Sequence, residues 1–258
     1  MYENPEKILI AGNQKSNIRM KKKLLWGGIS IAGLVIIVLG WEFINTLGRT
    51  QLQINIHQNK ELIYLSTFAE PPQFAIWLED PETHRLMTVF VTHRVAVGDW
   101  EGKANVPVAL PRWFELFKVN KHGEADAEKV PPLVVTGATP KDDYFSVRAE
   151  VKPGSKWICW VEMNLAGDFN DAFPQEDIQN FKVDEFSNGQ PALLYWAEVK
   201  AEEGRVFDFE LAGKSIWDNG KTRVESVSEG ITTAQSVFDE MNIEVIQPKP
   251  KLIDRNRM

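Results

Sequence analysis

The chain reads as a mainly β protein, an antiparallel sandwich of immunoglobulin or fibronectin type with one long insertion, preceded by a single transmembrane helix. Three observations predict this. Residues 24–41 (LLWGGISIAGLVIIVLGW) hold eighteen residues without a charge, directly after Arg19, Lys21, Lys22 and Lys23. The exported remainder carries seven or eight short runs rich in β-branched and aromatic residues, separated by turn residues. One segment, 98–143, breaks that rhythm with five prolines and four aromatics.

The apolar run comes first. At about 1.5 Å per helical residue it covers most of a hydrocarbon core of about 30 Å, and only a helix satisfies its own backbone there. Trp26 and Trp41 bracket it at the depth indole rings prefer. The basic residues on its N-terminal side keep residues 1–23 cytoplasmic and export the rest across the inner or plasma membrane. A cleaved signal peptide is the rival reading. However, no A-x-A site follows, Thr46-Leu47-Gly48 is a poor substitute, and no cysteine is present for lipid attachment. The expected organisation is therefore a cytoplasmic tail (1–23), an uncleaved anchor (24–47), an extracytoplasmic sandwich (48–246) and a C-terminal tail (247–258). Gly28-x-x-x-Ala32 is a small-xxx-small pattern of the kind that pairs membrane helices.

Charge narrows the partners. The chain is formally −7, and residues 1–23 hold six basic and two acidic residues, which leaves −11 on the remainder. That sign is wrong for nucleic acid and for an anionic lipid surface. Cys159 is the only cysteine, so no intramolecular disulfide forms. Its apolar setting, Trp157-Ile158-Cys159-Trp160, predicts a buried, inert thiol.

Strands are expected at 51–56, 74–78, 86–97, 144–151, 157–163, 192–199, 206–211 and 243–246, each bounded by turn signals. Pro153-Gly154 predicts a hairpin between 144–151 and 157–163, and Glu202-Glu203-Gly204 a second one between 192–199 and 206–211. Thr232-Thr233-Ala234-Gln235 reads as a capping box opening a short helix through about Met241. Within 98–143, Pro111 to Phe117 (PRWFELF) suits a helical turn laid over the sandwich, with proline at its permitted first position. The insertion is the leading working surface, with Trp100, Arg112 and Trp113 as partner-binding anchors, since Trp and Arg dominate interface hot spots.

Enzyme signatures are absent: there is no G-x-S-x-G, Walker A, H-E-x-x-H or C-x-x-C. The histidines His57, His84, His93 and His122 are dispersed, without metal-ligand spacing. Asp168-Phe169-Asn170-Asp171 with Glu176 and Asp177 lacks the alternation of a calcium loop and reads as a solvated acidic turn. No catalytic residue and no metal are expected. Trp157 and Trp160 are three residues apart in one strand, so they face opposite sides and at least one belongs to the core.

The most specific string is Thr136-Gly137-Ala138-Thr139. It resembles the S/T-G-A-T motif at which flavin transferases attach FMN through a threonine phosphoester, and by position Thr139 would be the attachment residue. Pro131-Pro132-Leu133-Val134-Val135 replace the acidic residue usual upstream, and Pro140-Lys141 replace the small hydroxyl residue beyond. A plain turn with hydroxyl hydrogen bonds explains the string equally. More widely, PQFAIWLED, GDWEGKANVPVALPRW, VTGATPKDDY and GSKWICWVEMNLAGDFN resemble a family of bacterial periplasmic proteins of unknown function. Its members often stand beside PepSY-type membrane proteins and flavin transferases. The resemblance covers about residues 70–246 and implies a β-sandwich with an accessory role near extracytoplasmic electron transfer; the anchor departs from the family's usual secreted form. The expectation is a non-enzymatic accessory or interaction subunit with a membrane-protein partner and no obligatory cofactor. Its alternatives are a covalent FMN carrier and a carbohydrate- or small-ligand-binding module that uses Trp faces.

Overall fold

The structure, a computed structural model, describes residues 33–41, 44, 49–97, 109–117, 135–137, 140–179, 182–184, 186–218 and 221–247. The chain divides into two units, one of Met1–Arg49 with Pro248–Met258 and one of Thr50–Gln247. In the first unit residues 33–41 are helical, with Leu34, Ile36, Ile37 and Trp41 exposed. Among the described residues no helix is long and apolar enough to cross a membrane. Residues 24–32 of the expected anchor lie outside them.

The second unit holds two sheets. The smaller has the order β10-β13-β1-β5, from Val206–Asp208, Phe238–Ile246, Thr50–Gln58 and Tyr144–Val151. The larger has the order β12-β11-β9-β6-β2-β3-β4, from Lys221–Glu225, Glu210–Asp218, Ala192–Lys200, Lys156–Asn164, Gln73–Glu79, Leu86–Thr92 and Val135–Gly137. A two-stranded ribbon, β7 (Glu176–Asp177) with β8 (Lys182–Val183), stands apart from both. The pairings are antiparallel except β3 with β4, which is parallel. Three short helices complete the unit: α1 (Lys60–Leu65), α2 (His93–Val97) and α3 (Pro111–Phe117).

Period-two patterning decides which side chains meet. Leu52, Ile54 and Ile56 of β1 and Ile243 and Val245 of β13 face Phe74, Ile76 and Leu78 of β2 and Trp157, Cys159, Val161 and Met163 of β6 in one buried core between the sheets. The alternate residues, Ala75 and Trp77 of β2, Val91 of β3 and Leu194 of β9, point the other way. They form a second core on the outer face of the larger sheet, closed by Val95, Ala96, Ala109, Leu110 and Trp113. The β-sandwich is thus observed, and it is sealed on one outer face by α2 and α3.

Several expected elements differ. The 144–151 and 157–163 strands do not form a hairpin: β5 pairs with β1, and β6 pairs with β2 and β9. The Lys152–Ser155 turn carries the chain from one sheet to the other, because both strands bury one face in the shared core. The 206–211 run likewise splits, Val206–Asp208 joining β13 and Glu210 opening β11, which pairs with β9. The 86–97 strand stops at Thr92, and His93–Val97 turns helical to bury Val95 and Ala96 over the outer face. The expected helix after Thr232 is a single 3-10 turn, Thr233–Ser236, with no side-chain cap from Thr232. From Phe238 the chain is strand, since Phe238 and Ile243 are needed in the inter-sheet core.

Candidate functional site

Two places gather the residues that the sequence singles out. The first is α3 and the strand face beneath it. Pro111 opens the helix, so the first free N–H groups belong to Arg112 and Trp113, and both are aimed at one buried carboxylate. Arg112 N donates to Glu162 Oε1 at 2.9 Å and Trp113 N to Glu162 Oε2 at 2.7 Å. Ser215 Oγ of β11 donates to Glu162 Oε1 as well. Glu162 sits at mid-sheet on β6, fully buried, and burial pushes its carboxyl up to about 7 against the opposing pull of these three donors and of Arg112.

Side chains finish the attachment. Trp113, 1% exposed, donates through Nε1 to Thr88 Oγ1 at 3.4 Å and stacks on Phe117 with ring centres 5.7 Å apart. Thr222 of β12 donates to the Pro111 carbonyl at 2.8 Å, and Phe114 meets Trp217 edge to face. Across the strands beside the helix runs a ladder of indoles: Trp77 stacks on Trp160, and Trp160 on Trp196, each at 6.2 Å. These are directly paired residues of β2, β6 and β9. Trp160 is oriented by donating to Glu79 Oε2 at 2.9 Å, while Trp157 lies in the inter-sheet core. The two indoles thus face opposite sides, as their spacing predicts.

The second place is a cleft of about 610 Å³ at the end of β1 where α1 begins. Its walls include Gln58, Ile63, Tyr64, Ala69, Glu70, Pro71, His93, Arg94, Pro140, Lys141 and Asp142. Gln58 is 2% exposed and is held by donating to the Asp142 carbonyl at 3.0 Å. The charges around the cleft are mixed in sign: Lys60 pairs with Asp143, and Arg94 with Glu70 at 3.3 Å. The flavin-type string ends at this cleft. Thr136 and Gly137 pair with Val91 and Thr92, and Pro140 and Lys141 line the wall. Ala138 and Thr139 lie outside the described residues. Next to the cleft, Tyr64, Leu65 and Phe68 are exposed by 68%, 75% and 44%.

The acidic turn differs from its expected solvated form. Asp168 is buried, with Oδ1 accepting from Thr233 at 2.5 Å and Oδ2 from Gln190 at 2.7 Å. Burial raises its carboxyl above the ordinary value, and these two donors oppose the shift. The knot ties the loop after β6 to the segment before β13. Among the described residues no group of His, Cys, Asp and Glu is arranged to hold a metal ion.

Of the expected anchors, Trp113 is in the outer core and presents no free ring. Arg112 is the outward member, its side chain 39% exposed and bonded to Glu115 at 3.0 Å. Trp100 lies outside the described residues. Cys159 is fully buried in the inter-sheet core, and burial drives its thiol far above the ordinary range. Glu162 was legible only as one carboxylate inside an apolar strand (Trp160-Val161-Glu162-Met163), and nothing in the string names the helix that it caps. No family model matches the chain, and no curated protein or solved structure matches it either.

Proposed function

We propose that the chain is a single-pass, membrane-anchored accessory protein whose extracytoplasmic, immunoglobulin- or fibronectin-like sandwich captures a membrane-protein partner in a flavin- or PepSY-type redox system. The observation that carries this reading is the exposed cluster of Tyr64, Leu65 and Phe68 beside the 610 Å³ cleft. Three large apolar side chains standing together on a rim of mixed charge have the composition of an interface centre. They follow β1, whose first residue, Thr50, begins the sandwich. A nine-residue strand of about 3.3 Å per residue puts roughly 27 Å between the two ends. The contact surface thus moves from the insertion to α1 and its flanking loop. A photo-crosslinking amino acid at Tyr64 or Leu65, in the native membrane, should trap one discrete membrane protein that mass spectrometry identifies as a redox component. The same probe at Val206, also exposed, should trap none. Equal labelling from both positions would end the reading.

A second reading, FMN carried covalently on Thr139, is favoured by the convergence of the TGAT string on the cleft through Pro140 and Lys141. Intact mass of protein purified from its own host decides it. One FMN adduct that disappears in Thr139→Ala makes the chain an electron carrier; an unmodified mass leaves the accessory role.

A further inference from the structure

We propose that Glu162 makes the docking of α3 pH-responsive, so that the helix is held to the larger sheet most firmly in acid and loosens as the medium turns neutral. The geometry concentrates the attachment on this one group. A fully buried carboxylate on β6 receives the first two free N–H groups of α3 and the Ser215 hydroxyl of β11. When α3 lifts, that carboxylate passes from a dry site into water. Beneath it lies the apolar strip of Ala75, Trp77 and Leu194, which lifting would uncover as a binding surface.

The charged groups around Glu162 are few. On α3 they are Arg112, whose guanidinium is engaged by Glu115, and Glu115 itself. The neighbouring strands contribute Ala75 of β2, Leu194 of β9 and Ser215 of β11, none of them ionisable; β12 and β3 contribute Thr222 and Thr88. The paired charges of β11 and β12, Lys214, Asp218, Arg223 and Glu225, alternate onto the opposite face of the sheet. Glu79 and Glu198 share the outer face but stand level with Ile158, four residues or about 13 Å along β6. A proton has a route in, because Ser215 lines a cavity of about 360 Å³ bounded also by Pro111, Asn164 and Trp217.

The direction follows from linkage. In the docked state the carboxyl is raised to about 7, whereas a solvated one has its ordinary value of 4.5. The docked form therefore binds the proton more tightly. Its advantage is complete below 4.5, is lost as pH rises toward 7, and changes no further above that. Over this window the lifted population rises by on the order of 100-fold.

Hydrogen exchange of residues 112–117 in the full-length protein in detergent, from pH 5 to 8 and corrected for intrinsic rate, tests the proposal. Wild type should lose protection on the order of 100-fold up to about pH 7 and then level off, whereas Glu162→Gln should stay flat. Protection that holds or rises with pH in the wild type overturns the proposal, as does an equal trend in Glu162→Gln. Should that variant fail to fold, the Glu162 carboxyl carbon shift in wild-type protein decides: a titration midpoint near 7 supports the proposal, and one below 5 overturns it.

Discussion

The backbone N–H of Trp113 meets Glu162 Oε2 at 2.7 Å, joining the start of a helix to the middle of a strand forty-nine positions later in the chain. One residue thus caps α3, orients Ser215 and closes the outer core. Its charge is tolerated there because each oxygen is met by at least one donor.

Glu162→Ala should therefore destabilise strongly. It strands two buried N–H groups and a hydroxyl, each worth about 1–3 kcal/mol when left unpaired, so a loss of about 3–5 kcal/mol is expected in urea unfolding. Glu162→Gln keeps one acceptor oxygen and should lose less than half of that.

Trp113→Ala removes a ring that is 1% exposed and stacked on Phe117. A core truncation of this size costs about 3–5 kcal/mol. The variant should show a lower thermal midpoint and a diminished near-UV signal. An unchanged midpoint would return Trp113 to the surface as a contact residue.

Gly189 has φ +72°, and a Cβ there would stand 2.5 Å from the Asp168 carbonyl oxygen. Gly189→Ala should cost at least about 1–2 kcal/mol, read as a shifted urea midpoint, because both the left-handed backbone and the close approach oppose a side chain. Cleavage by protease in the loop after β6 should speed up correspondingly.

Asp168 belongs to a closed polar knot with Thr233 and Gln190. Its carboxyl is raised, so its contribution to stability is full below the ordinary value of 3.8 and is lost as pH rises through the folded-state value. Asp168→Asn should flatten the acidic limb of stability against pH. Thr233→Val should lower stability by about 1–3 kcal/mol by orphaning one carboxylate oxygen.

Cys159 is the chain's one thiol and is fully buried. A thiol reagent should find no reactive group in the native protein and one after unfolding. Fast native labelling would mean that the inter-sheet core opens readily.

Much of this was written locally. Alternation of apolar and polar residues marks the strands and tells which side chains share a face, and so Trp157 and Trp160 part company as their spacing requires. Proline before an apolar run marks α3, and the apolar neighbours of Cys159 foretell its burial. None of these needs a partner to be known, because periodicity and backbone restriction act within a few residues. Strand pairing is different. β5 and β6 look like a hairpin along the chain, yet each finds its hydrogen bonds elsewhere, since the turn between them crosses from one sheet to the other to bury both inner faces. The same holds for Glu162: only the folding of β6, β11 and α3 onto one another brings two N–H groups and a hydroxyl to a carboxylate that, in the string, is a lone charge among apolar neighbours. The sequence determined the elements and their buried faces; the tertiary structure alone decided which elements meet, because hydrogen bonds between distant segments exist only after both have been packed around a common core.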